Sequence, residues 1–118
     1  MHEDLRIKFC LGIFESYSNL NLEMINFCRE EQTRKLILLK TIEFFLIEKQ
    51  LTNENLIKLI PDFVSSRSHK INSINLLISK KIIHKIKSNT DKRTVNIVPS
   101  KEILHEFEEY FQCIKSIF

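Results

Sequence analysis

The stretch from Leu51 to Ser100 decides the fold of this chain, and it reads LTNENLIKLIPDFVSSRSHKINSINLLISKKIIHKIKSNTDKRTVNIVPS. Its first part predicts a short helix, NENLIKLI, because Thr52 can cap the helix and Glu54 suits the positive end of the helix dipole. Pro61 ends this helix, since the residue before a proline disfavours helical backbone. A tight turn therefore separates this helix from the next one.

The next helix can be capped by Ser65 or Ser66 and is predicted to run to about Lys80. Four apolar residues at helical spacing are expected to form its buried stripe: Ile71, Ile74, Leu77 and Ile78. The opposite face then carries short hydrogen-bonding side chains.

Two β-branched segments, IIHKIK and TVNIV, follow this helix and are joined by the polar tip SNTDKR. They predict a β-hairpin with a long, basic turn. Pro99 is expected to end the second strand, and Ser100 to cap a last helix that runs to the C-terminus. Two helices with a tight turn and then a hairpin make a winged helix-turn-helix, so the expected fold is mainly helical with one β-hairpin wing.

Three further helices are predicted ahead of this stretch, over residues 4–17, 22–31 and 33–49, with Thr33 as the N-cap of the third. The third is apolar on nearly every side, which is typical of a helix in the middle of a core. A chain of 118 residues with 43% hydrophobic residues fits one domain. Residues 33–99 are expected to form its winged helix-turn-helix, and residues 1–32 and 100–118 to pack together.

Positive charge is concentrated in one part of the chain. The net charge is +3, but the segment from Phe63 to Lys101 contains nine Lys and Arg side chains and a single acid, Asp91. Such a one-sided field steers polyanions toward one region. The alternative is a lysine-rich solvated surface without a partner.

Several short motifs in this order resemble the MarR-type transcriptional regulators. They are the Leu51-Thr52 pair that opens the first helix, the helix end LISKKII, the wing tip Asp91-Lys92-Arg93, and VNIVPSKEI at the start of the last helix. Where the family usually has a glycine before the first strand, this chain has Lys81. The resemblance implies a winged helix-turn-helix that binds double-stranded DNA as a homodimer and regulates transcription. The sequence identifies no small-molecule effector.

The second helix of the pair is the expected recognition helix. Asn can bridge two atoms of adenine, and Ser can bond to either bases or phosphates. A basic wing tip can enter a narrow minor groove, with Asp91 orienting an arginine there; alternatively, the tip is only a hairpin turn. The residues expected to contact DNA are Ser66, Arg67, His69, Lys70, Asn72, Ser73, Lys87, Lys92 and Arg93.

The two terminal helices carry more apolar surface than one domain needs. Each large apolar side chain left in water forgoes about 1.5–3 kcal/mol. We therefore expect a dimer interface; the alternative is a monomer whose terminal helices bury each other. The interface residues expected are Leu5, Phe9, Phe107, Tyr110, Phe111, Ile114 and Phe118.

Enzymatic and membrane functions find no support in the sequence. No apolar run has the length of a membrane span, and the charged N-terminus does not resemble a signal peptide. His2, His69, His84 and His105 lack metal-site spacing, so no metal, cofactor or catalytic residue is expected. The three cysteines are expected to be reduced in a cytoplasmic, nucleoid-associated protein, with a redox-sensing role for Cys10 or Cys113 as the alternative. A winged helix that binds another protein instead of DNA is the alternative function.

Overall fold

The computed structural model describes residues 4–87 and 94–115, and within them six helices and one antiparallel hairpin follow one another. The helices and strands are α1 Leu5–Ser18, α2 Glu23–Arg29, α3 Gln32–Leu46, α4 Asn53–Leu59, α5 Arg67–Ser79, β1 Ile83–Lys87, β2 Val95–Pro99 and α6 Lys101–Lys115. In these residues, no helix has both the length and the hydropathy needed to span a membrane. The hairpin tip, residues 88–93, and its expected contacts lie outside the described residues.

Local capping fixes the starts of the helices around the predicted turn. Thr52 accepts a hydrogen bond from the Asn55 N–H (3.1 Å), and Ser66 accepts one from the His69 N–H (3.2 Å). Ser100 begins α6 by accepting from the Ile103 N–H (3.0 Å). These three caps confirm the predicted helix starts, because each hydroxyl satisfies a donor that the first turn leaves free.

The cap of α3 differs from the prediction. Glu31, and not Thr33, is the N-cap, and its carboxylate accepts from the Thr33 N–H (2.9 Å) and the Arg34 N–H (3.2 Å). The helix consequently begins at Gln32, and Thr33 lies buried in its first turn. A carboxylate can bond both donors at once, which a hydroxyl at Thr33 would not do from inside the helix.

α3 lies in the middle of the core, as its apolar sequence predicts. It packs against α2, α4, α5 and β2. Ile37 and Ile42 of α3 are fully buried together with Leu77 of α5 and Ile97 of β2. The core therefore joins the helix pair and the hairpin into one unit.

The hairpin is attached to the residue before the α4 cap by one backbone–backbone and one backbone–side-chain hydrogen bond. β1 pairs with β2 in a register that places Ile83 opposite Pro99 and Lys87 opposite Val95. The Ile97 N–H donates to the Leu51 carbonyl (2.8 Å), and the Leu51 N–H donates to Asn96 Oδ1 (2.7 Å). These two bonds hold Leu51 beside β2.

The second strand runs one residue further than predicted. It includes Pro99, whose missing N–H is tolerated at the end of a strand. The next residue restores the bonding, because the Ser100 N–H donates to the Ile82 carbonyl (2.9 Å).

A left-handed residue ends α5 and turns the chain into β1. Lys81 has φ 61°, and this position allows the Ile82 N–H to donate to the Leu77 carbonyl (3.0 Å). Its own N–H donates to the Ile78 carbonyl (3.0 Å), which completes a Schellman motif. MarR-type regulators usually have glycine at the corresponding position, and in this chain a lysine adopts left-handed backbone there.

The α4–α5 pair followed by the hairpin is a winged helix-turn-helix, so the predicted fold class is confirmed. It is also the fold that the resemblance to MarR-type regulators implies. The segment before α4 is bonded to β2 through Leu51, and the end of α5 is bonded to the start of the hairpin through Ile82, so the helix pair and the hairpin are connected.

We predict that Lys81→Gly stabilises the protein by about 0.5–1 kcal/mol. A side chain in left-handed backbone costs about 1–2 kcal/mol, and the greater freedom of glycine in the unfolded chain offsets part of that gain. Urea unfolding measures the difference. The control is Lys80→Gly: Lys80 has φ −82° in right-handed backbone, so glycine there is expected to destabilise. Equal effects at both positions would contradict this assignment of strain.

Candidate nucleic-acid interface

Lys70 is not a DNA-contact residue, contrary to the sequence prediction. Its side chain is only 1% exposed although it lies in the first half of α5. Its ammonium donates to the Ile57 carbonyl (3.1 Å), the Ile60 carbonyl (2.7 Å) and Asp62 Oδ1 (2.7 Å). All three ammonium donors are thereby used within the helix-turn-helix.

The end of α4 explains why a buried cation is needed there. The Ile57 carbonyl would accept a helical hydrogen bond from residue 61, but Pro61 has no N–H to donate. Lys70 supplies the missing donor from α5, and the hydrogen bond from its ammonium lowers the pKa of the Asp62 carboxyl below its usual value. We call this set of contacts the Lys70 clamp.

Ser73 is also misplaced by the prediction. It is buried, with Ile74 and Leu77 beside it, so the inward face of α5 is rotated relative to the predicted stripe. The prediction assumed that polar residues of an amphipathic helix face the solvent. Lys70 and Ser73 both violate that assumption, and for Lys70 the reason is that carbonyls at the end of α4 need a donor.

The rotation brings a different set of side chains to the outer face of α5. Four short polar residues at spacings of 4, 3 and 4 are exposed along one line, which we call the α5 ridge: Ser68, Asn72, Asn75 and Ser79. Asn72 was predicted there, whereas Asn75 was missed. Its place three residues after Asn72 on an exposed face is the sequence signal that would have found it.

Two other predicted contact residues lie at the start of α5. Ser66 is exposed, and its hydroxyl is the cap of the helix. His69 is 49% exposed, and its Nε2 lies 3.4 Å from Oε1 of Glu31. Burial alone would raise the pKa of Glu31, but hydrogen bonds from the Thr33 and Arg34 N–H groups and from His69 together lower it. The α5 start is therefore tied to the start of α3.

Arg67 is exposed and paired with an acid of α4. Its guanidinium donates to both carboxylate oxygens of Glu54, at 2.6 and 3.3 Å. The pKa of Glu54 is lowered by this hydrogen bond and pair. The predicted phosphate contact of Arg67 therefore requires exchange of one anionic partner for another.

The segment from Ser65 to Lys87 contains no Asp or Glu, so positive charge dominates α5 and β1. Its exposed cations, apart from Arg67, are Lys80, Lys81, Lys85 and Lys87. The predicted contacts of Lys92 and Arg93, and the supporting role of Asp91, lie outside the described residues.

The expected interface residues separate into two groups. Phe107 and Tyr110 are partly buried against the core of their own chain, and the Arg29 guanidinium lies between the rings of Tyr110 (5.1 Å) and Tyr17 (3.6 Å). They are therefore already engaged within the domain. Leu5, Phe9 and Phe111 remain about half exposed, Ile114 is partly buried, and Phe118 lies outside the described residues.

α1 exposes several apolar side chains that the prediction of the interface did not include. Gly12 and Ser16 are buried, on the side where α1 packs against α6. The other side of α1 exposes Ile7, Leu11 and Phe14, of which Phe14 is 73% exposed. We call these three residues the α1 stripe.

No group of three or more metal-ligating side chains occurs in residues 4–87 and 94–115. Of the three thiols, Cys10 is exposed, Cys113 is partly buried and Cys28 is buried. Burial raises the pKa of the Cys28 thiol to about 12, so it remains a protonated, unreactive core residue at neutral pH.

We predict that Lys70→Met destabilises the protein by about 2–4 kcal/mol, since each buried carbonyl left without a donor costs about 1–3 kcal/mol. Urea unfolding measures the loss, and the pKa of Asp62 is expected to rise toward its ordinary value. The control is Lys58→Met, the same change at an exposed position of α4. Equal stability of the two variants would show that the Lys70 clamp contributes nothing.

Neither the known protein families nor the curated proteins include a match to this sequence. Among solved structures, the chain is similar to the adhesin competence repressor (AdcR) from Streptococcus pyogenes. The two are 17% identical, the alignment covers 93% of this chain and 68% of the repressor chain, and the TM-score is 0.43. The α4–α5 pair and the hairpin by themselves define the fold as a winged helix-turn-helix.

Proposed function

We propose that this protein binds double-stranded DNA in a sequence-specific manner as a homodimer and thereby regulates transcription. The observation that carries the proposal is the α5 ridge. It lies on the second helix of a helix-turn-helix, in a segment without acidic residues. A helix in this position enters the major groove with its N-terminal half toward the base edges.

The chemistry of the α5 ridge suits base recognition. Asn72 and Asn75 each offer an amide donor and acceptor, which match N6 and N7 of adenine. Ser68 can bond to a base or a phosphate. Because the ridge is uncharged, its contacts distinguish sequences and do not simply add affinity.

The cations around the ridge suit the phosphate backbone. Lys80, Lys81, Lys85 and Lys87 are exposed, and the wing-tip residues Lys92 and Arg93 extend the same charge along the sequence. Arg67 can join them, because an exposed ion pair such as Arg67–Glu54 contributes only about 0–1 kcal/mol. A phosphate can therefore replace Glu54 at small cost.

The α1 stripe supports the homodimer. Burying its three side chains against a second copy would recover about 1.5–3 kcal/mol for each of them. Leu5, Phe9 and Phe111 can extend that contact. A two-fold dimer presents two α5 helices and reads half-sites about one helical turn of DNA apart.

A second candidate function is binding of another protein through the helix-turn-helix. Phe63 is 91% exposed in the turn before α5, and Leu59 is 40% exposed at the end of α4. Apolar side chains at this place suit a protein surface better than a phosphate backbone. Salt dependence separates the two functions, since DNA binding weakens steeply with salt.

We predict that Asn72→Ala costs about 1–3 kcal/mol on the preferred duplex and little on random DNA. Random-library selection supplies the preferred duplex, and fluorescence anisotropy at several salt concentrations measures affinity. Lys85→Ala is expected to weaken binding to all duplexes alike and to flatten the salt slope by about one unit.

The matched control is Asn21→Ala, an exposed asparagine at the α1–α2 junction, which is expected to change neither affinity. Equal losses for Asn72→Ala on preferred and random duplexes would identify a non-specific binder. If wild-type protein binds no duplex at low salt, the proposal of DNA binding is wrong.

We predict that the wild-type protein sediments at twice the 14.1 kDa mass of the chain and that Phe14→Glu yields monomers. The reason is the cost of burying a carboxylate in an apolar contact. Phe63→Glu makes the same change at another exposed phenylalanine and is expected to leave the dimer intact. If the wild-type protein sediments as a monomer, the proposal that a two-fold dimer binds two half-sites of DNA is wrong.

A further inference from the structure

A groove of about 650 Å³ lies where α2, α6 and the α5–β1 junction meet. Its volume is in the range of small-molecule sites, roughly 300–1,000 Å³. Glu23 and Phe27 of α2, and Glu30, the residue that caps its C-terminus, line the groove at spacings of four and three residues, which places them on one side of the helix. α6 contributes Glu106, and the end of α5 contributes Lys80. We call this feature the α2 groove.

The α2 groove has exposed apolar surface. Leu20, at its edge, is 93% exposed, while Met24 and Phe27 are partly buried against the core below. Their burial by a ligand would remove apolar area from water without a change in the fold. A ligand for this groove therefore needs an apolar body.

The charge of the α2 groove is negative, in contrast to α5 and β1. Three carboxylates, those of Glu23, Glu30 and Glu106, line it together with a single cation, Lys80. Oε2 of Glu30 lies 3.7 Å from Nη1 of Arg34, a residue that does not line the groove. The negative charge of Glu30 is therefore partly neutralised. The remaining negative charge selects a cation and repels an anion.

Glu106 is the least solvated of these carboxylates. Its Oε1 accepts from the Met24 N–H (2.9 Å) and the Ile25 N–H (3.1 Å), and it thereby caps α2 from another helix. Burial raises the pKa of Glu106, and the charges of Glu23 and Glu109 add to this rise. A cation bound in the groove would stabilise the ionised form of the Glu106 carboxylate.

Phe27 shows how a cation would be held. The Arg34 Cζ lies 4.4 Å from the centre of its ring, and the Lys80 Nζ lies 5.4 Å from it. Its aromatic faces already attract positive charge. Lys80 is exposed, so its ammonium can leave the ring for solvent when a ligand cation takes its place.

We propose that the α2 groove binds an amphipathic organic cation, with the apolar body against Leu20, Met24 and Phe27 and the charge facing Glu23, Glu30 and Glu106. The binding itself does not depend on the proposed function. Lys80 caps the C-terminus of α5 through its backbone N–H, so the ligand replaces only its ammonium beside Phe27 and leaves the helix cap in place.

Isothermal titration of the full chain with tetraphenylphosphonium chloride, in the absence of DNA, tests this inference. We expect saturable binding of one cation per chain. Glu23→Gln and Glu30→Gln together are expected to weaken binding at least about fivefold, through loss of Coulomb attraction. Phe27→Leu is expected to weaken it about two- to fivefold, since an exposed cation–π contact is of that size.

Two controls keep the test specific. Glu108→Gln, an exposed change on α6, is expected to leave binding unchanged. Tetraphenylborate has the same shape and the opposite charge, and it is expected to show no binding that depends on Glu23 or Glu30. Absence of saturable cation binding, or equal binding by the Glu23→Gln/Glu30→Gln variant, would overturn the proposal. The proposal would also be overturned if the protein bound no cation and Leu20→Glu changed the sedimenting mass. That result would show that the groove is a contact with a second copy of the chain.

Discussion

The Lys70 ammonium is the contact on which the geometry of the helix-turn-helix depends. Pro61 removes the N–H that would complete α4, and Lys70 provides the missing donor from the neighbouring helix. This contact joins the first half of α5 to the end of α4. With Lys70 inside, Ile74 and Leu77 face the core, and the α5 ridge of Ser68, Asn72, Asn75 and Ser79 faces outward.

A short series of backbone hydrogen bonds extends this arrangement to the wing. Leu77 accepts from Ile82 at the end of α5, Ile82 accepts from Ser100, and Leu51 accepts from Ile97. These hydrogen bonds connect the helix pair with the hairpin: α4, α5, β1 and β2. The proposed phosphate contact of the wing and the proposed base contact of α5 would then be made by linked elements, which favours binding without large reordering.

Local chemistry made much of the fold predictable. Thr52, Ser66 and Ser100 each cap a helix by bonding to the N–H three residues further on, and Pro61 acts on the residue before it. Contacts between distant residues were not predictable in this way. Glu106 caps α2 from 82 residues away along the chain, and Lys70 is drawn inward by carbonyls of another helix. For that reason the predicted recognition face included Lys70, whereas the omission of Asn75 was an error in reading the helical spacing and did not depend on a distant contact.

The central claim is that the outward face of α5, as set by Lys70, is the surface that contacts DNA bases. The most direct test is an NMR titration of the isotope-labelled protein with its preferred duplex. The account predicts that the side-chain amide signals of Asn72 and Asn75 shift, together with the backbone signals of β1, while those of the α1 stripe do not. Unchanged Asn72 and Asn75 signals, with shifts confined to Phe63 and the turn before α5, would contradict it.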